Sequence, residues 1–252
     1  MRPTLLVTRP RDQAAELHDL LRERGLATIG VPTVTIDRSG LAAGLDRMLE
    51  RLADADWLVL TSANGAHALA DRLRVTGRRL PPTVRVAAVG PATADALRNA
   101  GISVDHVPAT YLTLAIADGL GEVRGRKIVL ARADAATPAL RDALIARGAV
   151  LEEVIAYRTL EAPDDSRDLL GEALRAGLDG VTFTSSSTVR GLLRLALPAA
   201  RARVHDIPAF CIGPVTAQTA TAAGFTVAAV AAEHTAAGLA DTIADHFARE
   251  DR

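Results

Sequence analysis

Short runs of consecutive apolar residues alternate with longer segments of helical periodicity along almost the whole chain. Apolar residues occupy neighbouring rather than alternate positions in these runs, which is typical of strands buried on both faces of a parallel sheet. Helical segments follow most of the runs, so the order favours strand–helix–strand units and an α/β fold. The predicted strands are residues 5–8, 57–60, 84–89, 103–107, 127–131, 180–183, 209–212 and 226–230.

Proline and glycine residues mark the ends of the predicted helices. Thr137 and Pro138 fit a helix N-cap followed by proline at the first helical position, and Gly148 fits the end of that helix. Pro10 and Gly25 frame another helix in the same way. These breaks fall where the alternating pattern requires a change of element.

The chain contains an internal repeat with a constant offset of 123 residues. LTSANGAHAL, beginning at Leu60, is similar to FTSSSTVRGL, beginning at Phe183. AVGPATADALRNAGISV, beginning at Ala88, is similar to CIGPVTAQTATAAGFTV, beginning at Cys211. Two copies indicate two related domains and not a solenoid, which needs about three or more copies.

Two extended, Thr-rich stretches interrupt the alternation, at residues 30–36 and 156–160. Each follows a strand and precedes a polar segment that contains Asp. We interpret both as places where the chain crosses between the domains.

The composition is that of a globular protein without excess charge. Of 252 residues, 49% are hydrophobic and 23% charged, and the formal net charge is −1. The basic excess usual in nucleic-acid-binding proteins is lacking, although arginine far outnumbers lysine and a local arginine-lined anion site remains open. The single cysteine excludes an intramolecular disulfide and a multi-thiolate metal site. The sequence shows neither a signal-peptide pattern nor an apolar run of roughly 20 residues, so we expect a cytoplasmic protein.

Candidate chemistry concentrates in four strand-to-helix turns of the repeat. They are residues 61–65, 90–93, 184–188 and 213–216. In parallel α/β sheets the ligand lies at the carboxyl ends of the strands, where helix N-termini suit anions. Each Ser or Thr could instead serve only as a helix cap. Two matching pairs of turns favour a shared ligand cleft.

Other candidates are isolated residues, since the motifs of nucleotide cofactors, zinc enzymes and serine hydrolases are absent from the sequence. Arg9 and Arg132 each follow a strand and face either an anionic ligand or solvent. Tyr157 lies in a predicted crossing, where it could offer its hydroxyl to a ligand or be purely structural. We interpret His67 and His234 as surface or half-buried residues.

Together these segments resemble the uroporphyrinogen-III synthase family. The similar segments are residues 6–10, 60–62, 89–94, 156–159, 183–185, 212–217 and 233–239. The resemblance implies two related α/β domains, with parallel sheets flanked by helices, joined by a two-stranded crossing. One domain would combine residues 1–33 with 162–252, the other would comprise residues 38–155, and the crossings would lie near residues 31–38 and 155–163.

The resemblance also implies a reaction, from hydroxymethylbilane to uroporphyrinogen III. The substrate hydroxyl leaves as water, and the last pyrrole is attacked at its substituted carbon to give a spiro intermediate. Cleavage of a bond at the spiro carbon then lets the ring invert before the macrocycle closes. The family's reaction needs no cofactor and no metal. The implied partner is this small-molecule substrate, with hand-over from hydroxymethylbilane synthase, and neither nucleic acid nor membrane.

Matching the family residue by residue implies that Tyr157 assists departure of the hydroxyl. Every pyrrole of the substrate carries an acetate and a propionate, for which helix N-termini and hydroxyl groups are suitable partners. The implied substrate-binding residues are Arg9, Ser62, Thr93, Arg132, Ser185, Ser187, Thr216 and Thr235. The sequence departs from the common family pattern at residues 186–188 and at His234. The alternative function is a non-catalytic tetrapyrrole-binding or regulatory module of the same fold.

Overall fold

The computed structural model describes residues 2–109 and 114–250. The chain divides into two compact units. Unit 1 comprises Met1–Thr35 and Leu160–Arg252, and unit 2 comprises Ile36–Thr159. Within the described residues, we find no helix whose length and apolar character would let it cross a membrane.

Strands and helices alternate along most of the described chain. The strands are β1 (Thr4–Val7), β2 (Ala27–Gly30), β3 (Val34–Asp37), β4 (Trp57–Leu60), β5 (Arg85–Ala88), β6 (Lys127–Ala133), β7 (Val150–Glu161), β8 (Gly180–Phe183), β9 (Ala209–Cys211) and β10 (Val227–Val230). The α-helices are α1 (Ala15–Glu23), α2 (Ala42–Arg51), α3 (Ala63–Thr76), α4 (Pro91–Asn99), α5 (Ala115–Gly119), α6 (Ala139–Ala146), α7 (Ser166–Ala176), α8 (Ser186–Leu195), α9 (Pro198–His205), α10 (Pro214–Ala222) and α11 (Ala236–Glu250).

The sheet of unit 1 has the strand order β10-β9-β8-β1-β2, and neighbouring strands are parallel. Successive side chains of a strand point to opposite faces of the sheet. Leu6 accordingly packs into one apolar cluster, with Phe183, whereas Leu5 and Val7 pack into another, with Phe210. Burial on both faces explains why the strands of this unit are apolar at consecutive positions.

The sheet of unit 2 has the strand order β3-β7-β6-β4-β5, and β7, β6, β4 and β5 are parallel. Its two faces are covered in the same way. Leu58 and Leu60 pack into one cluster, and Trp57 and Val59 pack into the other.

The two sheets reproduce the sequence repeat. At the 123-residue offset, β6, β7, β4 and β5 correspond to β1, β2, β8 and β9, and each set has the same order in its own sheet. The predicted fold class, two related α/β domains with parallel sheets and flanking helices, is confirmed. The chain passes between the units after Thr35 and again after Thr159.

The predicted strand at residues 103–107 is wrong, because only an isolated parallel bridge between Ala87 and His106 forms there. The carboxylate of Asp105 accepts the backbone N–H of Val86 at 2.7 Å. That donor is then no longer available to a neighbouring strand, so the ladder at the edge of β5 is interrupted.

The predicted start of α6 is also wrong by one residue. Pro138 is the N-cap and Ala139 begins the helix, with no side-chain cap among the described residues. Thr137 therefore does not cap this helix. Its carbonyl oxygen instead accepts a hydrogen bond from Arg132 Nη1 at 2.8 Å.

The predicted crossings are extended, as β3 and the 12-residue β7. Within unit 1, the chain before β3 packs closely on α8. Thr33 is fully buried, and its hydroxyl lies 3.1 Å from the carbonyl oxygen of Thr8 and 2.9 Å from that of Thr188. A Cβ at Gly191 would lie 2.1 Å from the carbonyl oxygen of Thr33, so only glycine allows this approach.

Candidate active site

The candidate site of unit 2 begins at the carboxyl ends of β4 and β5, which are followed by α3 and α4. Strands β6 and β7 run parallel to them, so their carboxyl ends lie at the same edge. Ser62, Thr93, Arg132 and Tyr157 all lie at or just after these strand ends.

Ser62 caps α3. Its backbone is extended, with φ −163° and ψ 154°, and its Oγ accepts the backbone N–H of Gly65 at 3.1 Å. This is the usual geometry of a serine N-cap. A Cβ at Gly65 would lie 3.7 Å from the carbonyl oxygen of Ala131 and 3.9 Å from the Cβ of Ala156, so the first turn of α3 lies directly against β6 and β7.

Tyr157 lies near the end of β7 and is only 7% exposed. The side chains of Ser62 and Asn64 interact with its hydroxyl. Burial raises the pKa of this phenol above its ordinary value of 10.0, and the charge of Asp134 raises it further, whereas the interactions with Ser62 and Asn64 lower it. Because the net shift is upward, the phenol keeps its proton at neutral pH and is available as a proton donor.

The turn that precedes α4 is of a different kind. Gly90 is the N-cap, Pro91 stands in the first turn, and among the described side chains none caps the helix. The N–H groups of such a turn are free to bind an anion. Thr93 belongs to this turn and is 3% exposed.

Arg132 lies in β6 and its charged group already has protein partners. Its Nε is 3.0 Å from Oε1 of Glu153, and the side chain is only 12% exposed. Together with its bond to the carbonyl of Thr137, this ion pair places the guanidinium across the loop that follows β6. Arginine carries five N–H donors, so the donors that take no part in these two interactions can bind a second anion.

The corresponding edge of unit 1 holds the hydroxyl-rich start of α8. Ser185 and Thr188 form a reciprocal capping box, in which each side chain accepts the other's backbone N–H at 3.3 Å. Ser187 Oγ lies 2.9 Å from Ser185 Oγ. Ser186 Oγ lies 2.7 Å from Oγ1 of Thr219 and thereby ties α8 to α10.

Helix α10 begins as α4 does, with Gly213 as N-cap, Pro214 in the first turn and no side-chain cap among the described residues. Thr216 in this turn is 6% exposed. The ring of His234 packs near Gly213, where a Cβ would lie 3.3 Å from His234 Cδ2, yet His234 itself is exposed.

Two further predicted residues complete this edge. Thr235 Oγ1 accepts the backbone N–H of Gly238 at 3.0 Å, so this exposed residue supports the start of α11. Arg9 follows β1 and forms an ion pair with Glu16, with 3.3 Å between Nη1 and Oε2. The site residues predicted for unit 1 therefore occupy the same edge of its sheet, after β1, β8, β9 and β10.

Sequence reasoning missed Asn64, whose side chain interacts with the hydroxyl of Tyr157. The signal that could have found it is the repeat, since the 123-residue offset aligns Asn64 with Ser187. His67 is exposed, as its sequence context indicated, and Cys211 lies in the core. Among the described residues, no group of three or more His, Cys, Asp or Glu side chains is placed to hold a metal ion.

Comparisons with known proteins agree with one another. A family model described as uroporphyrinogen-III synthase HemD matches residues 15–241. The uroporphyrinogen-III synthase of Synechococcus elongatus is 30% identical over 246 residues, which cover 94% of this chain and 92% of that protein.

Two solved structures are similar in fold. A mutant uroporphyrinogen III synthase from the extremely thermophilic bacterium Thermus thermophilus has a TM-score of 0.70 at 19% identity, with 98% of this chain and 99% of that chain covered. The uroporphyrinogen-III synthetase from Helicobacter pylori has a TM-score of 0.62 at 15% identity, with 100% of both chains covered. At such identities the similarity concerns the fold alone.

Proposed function

The chain belongs to the uroporphyrinogen-III synthase family, and we propose that it converts hydroxymethylbilane to uroporphyrinogen III. It is a cyclising lyase of haem biosynthesis. The observation that carries the proposal is the buried phenol of Tyr157 at the edge of the unit 2 sheet that also carries the uncapped first turn of α4.

The proposed reaction starts with proton transfer from Tyr157 to the terminal hydroxyl of the substrate. The C–O bond breaks, water leaves, and an azafulvene cation and a tyrosine phenolate remain. The substituted carbon of the last pyrrole attacks the cation to form the spiro intermediate. The bond between this carbon and the methylene bridge to the third pyrrole then breaks, which leaves a new azafulvene cation on the third pyrrole. The last ring inverts, and its free carbon attacks this cation to close the macrocycle. The proton lost from this carbon returns to the phenolate, so the enzyme is regenerated.

Most of the catalytic effect in this proposal comes from conformation. The linear substrate also closes spontaneously, to the wrong isomer, so the enzyme has to hold it in the geometry that favours spiro formation. Its many carboxylates suit the uncapped first turns of α4 and α10. The proposed substrate-binding residues are Arg9, Ser62, Thr93, Arg132, Ser185, Ser187, Thr216 and Thr235.

The domain organisation belongs to the same proposal. We assign residues 1–33 with 162–252 to one domain and residues 38–155 to the other, with crossings near residues 31–38 and 155–163. The common strand order of the two sheets supports this assignment.

Cellular context is proposed from the chemistry of the substrate. Since the free linear tetrapyrrole closes to the wrong isomer, direct hand-over from hydroxymethylbilane synthase would favour the correct product. The proposed location is the cytoplasm, where the two enzymes would act in sequence.

The test is an isomer assay. Hydroxymethylbilane is allowed to cyclise with and without the protein, and the product is oxidised and separated into type I and type III isomers. We expect type III to dominate when active protein is present and type I to dominate with heat-denatured protein. Dominance of type I at excess native protein would refute the proposal, and tetrapyrrole binding without turnover would indicate a non-catalytic module.

A further inference from the structure

A cavity lies in unit 2 at the edge of the sheet opposite to the candidate site. Its volume is about 960 Å³, and sites for small molecules typically measure roughly 300–1,000 Å³. The end of α3, the segment after it, the start of β5 and the residues after α4 line the cavity. Ser62 and Gly77 cap the two ends of α3. At about 1.5 Å per residue, this 14-residue helix separates the cavity from Ser62 by roughly 20 Å.

The buried part of the cavity lining is apolar. Val84, Val86 and Ile102 line the cavity and are 7%, 3% and 8% exposed. They belong to the core of unit 2, and two further lining residues, Leu73 and Leu80, pack against that core. A ligand with an apolar body would therefore remove apolar surface from water on entering the cavity.

The exposed part of the lining is basic, with three arginines. Arg74 Nη2 lies 3.7 Å from Oδ1 of Asp71, which is too long for a hydrogen bond. Arg78 Nη2 lies 3.0 Å from Oε1 of Glu50. Arg79 has no ion-pair partner within the part of the chain that the structure describes. Most of the guanidinium N–H donors at the cavity are thus available to an anionic group.

The two acidic residues of the lining already have partners. Asp71 Oδ2 accepts a hydrogen bond from Arg38 Nη1 at 2.8 Å. The carboxylate of Asp105 accepts the backbone N–H of Val86 at 2.7 Å. Because these carboxylates are engaged, the arginines determine the sign of the charge that a ligand meets, and an anion is favoured.

In unit 1 the corresponding place is occupied by the chain itself. At the 123-residue offset, residues 75–82 align with α9. The ring of His205 at the end of α9 stacks on Phe225, with 5.1 Å between the centroids and 5° between the planes. The aligned residues in unit 2 are Pro82 and Ile102, and both line the cavity. The place that two stacked rings fill in unit 1 is therefore bordered by smaller, non-aromatic side chains in unit 2.

We propose that this cavity binds a small planar ring compound that carries an anionic group such as a carboxylate. The ring lies against Val86 and Ile102, where the repeat accommodates stacked rings in unit 1. The anionic group is bound by Arg78 and Arg79, since guanidinium groups suit carboxylates and related oxyanions. This second ligand site is separate from the candidate active site and does not depend on the proposed reaction.

The test uses naphthalene-2-sulfonate as the probe, titrated into the full-length ¹⁵N-labelled protein and followed by the NMR shifts of backbone amides. We expect saturable shifts at Gly77 and Gly101, which line the cavity. The amides of Gly90 and Gly213 report on the two uncapped turns of the candidate site and serve as the internal reference.

The arginines are tested by the double variant Arg78→Ala/Arg79→Ala. It should weaken binding of the probe roughly tenfold, as for two exposed charge-assisted contacts. Arg47→Ala is the matched control, because Arg47 is an exposed arginine of α2 that does not line the cavity. This control should bind the probe as the unsubstituted protein does.

The place of the ring is tested by transferring the ring pair of unit 1 into unit 2. Pro82→His/Ile102→Phe should abolish the shift at Gly101, because the new rings occupy the place of the ligand. Circular dichroism verifies that each variant is folded. Formation of type III isomer should be unchanged in the arginine variant, since the cavity is remote from the candidate site.

Four results would overturn the proposal. They are shifts confined to Gly90 and Gly213, undiminished binding by the double arginine variant, equal binding of the uncharged 2-naphthol, and the same shifts with sulfate alone. The third result would indicate a cavity that does not select for charge, and the fourth a surface that binds any anion. Failure of the proposed reaction is distinguishable, because the amide shifts are measured without turnover.

Discussion

The first turns of α3 and α8 occupy the same place in their own sheets, yet their serines have different partners. In both units the strand is followed by Thr-Ser, and the serine Oγ caps the helix. In unit 1 the remaining contact of Ser185 is another serine, Ser187. In unit 2 the side chains of Ser62 and Asn64 both interact with the phenol of Tyr157.

The difference separates what the repeated fold requires from what one copy adds. Both copies keep the cap, the buried threonine and the Gly-Pro start of the following helix. Unit 2 has a phenol in β7, at Tyr157, whereas the residue aligned with it at the 123-residue offset is Val34, which begins β3 and is 2% exposed. We therefore expect substitutions at the shared features to change stability or substrate binding, and substitutions at the added feature to change the chemical step.

The largest expected effect is that of Tyr157→Phe. Loss of a general acid typically costs a hundredfold or more in rate, so kcat should fall by roughly 10²-fold while the fold is retained. Val34→Ala at the aligned position should instead cost roughly 1–3 kcal/mol of stability, because it empties a buried site without removing a reactive group. Steady-state kinetics measures the first effect and urea unfolding the second. An unchanged kcat for Tyr157→Phe would mean that Tyr157 takes no part in the chemical step and does not differ in role from Val34.

The next effect concerns packing of the crossing in unit 1. Gly191→Ala places a Cβ 2.1 Å from the carbonyl oxygen of Thr33 and 2.9 Å from its carbonyl carbon, so the backbone must move. We expect a loss of about 3 kcal/mol in the free energy of unfolding. The aligned residue in unit 2 is Ala68, where the reverse change, Ala68→Gly, should cost only about 1 kcal/mol of helix propensity. Equal losses in urea unfolding would show that the two helices are packed alike.

A smaller effect distinguishes the two capping serines. Ser62→Ala and Ser185→Ala should each lower stability by about 1 kcal/mol, since each removes a helix N-cap. Beyond this common loss, Ser62→Ala should lower kcat, because its hydroxyl acts on Tyr157, whereas Ser185→Ala should raise KM. The comparison fails if both variants change the same kinetic constant.

The strands that could be predicted from the sequence are those buried on both faces. The apolar run at residues 57–60 coincides with β4, and that at residues 180–183 with β8, because two covered faces leave a continuous apolar pattern. Residues 103–107, in which only Val104 and Val107 are apolar, do not form a strand. The strand is prevented by one hydrogen bond, in which the carboxylate of Asp105 accepts the backbone N–H of Val86. Hydrophobic periodicity gives no signal for such a bond.

The candidate site, too, could be predicted from the sequence only in part. The turns could be located from the repeat, because the carboxyl ends of parallel strands meet at one edge. The partners of the side chains could not, since Asn64 and Tyr157 are far apart in the sequence and meet only through the pairing of β4, β6 and β7. Likewise, the ion pair between Arg132 and Glu153 depends on the register of β6 and β7 and has no signature in either segment alone.

The smallest expected effect tests whether an aligned core position is equivalent in the two copies. Cys211 lies in the core of unit 1 and is fully buried, and unit 2 carries Ala88 at the aligned position. Cys211→Ala should cost roughly 0.5–1 kcal/mol at neutral pH, for the contacts of one sulfur atom. Intact activity is expected, because the thiol has no part in the proposed reaction.

The pH dependence of that small difference has a definite sign. Burial raises the pKa of the Cys211 thiol from 9.0 to about 11. The neutral thiol is therefore favoured in the folded state, and its contribution to stability is complete below pH 9 and declines as the pH rises from 9 to about 11. By pH 11 the loss should reach about 2 kcal/mol, since one pKa unit corresponds to about 1.4 kcal/mol. Cys211→Ala lacks this titration, so it should be the less stable protein in urea at pH 7 and the more stable one at pH 11; a difference independent of pH would mean that the thiol ionises as freely in the folded chain as in the unfolded one.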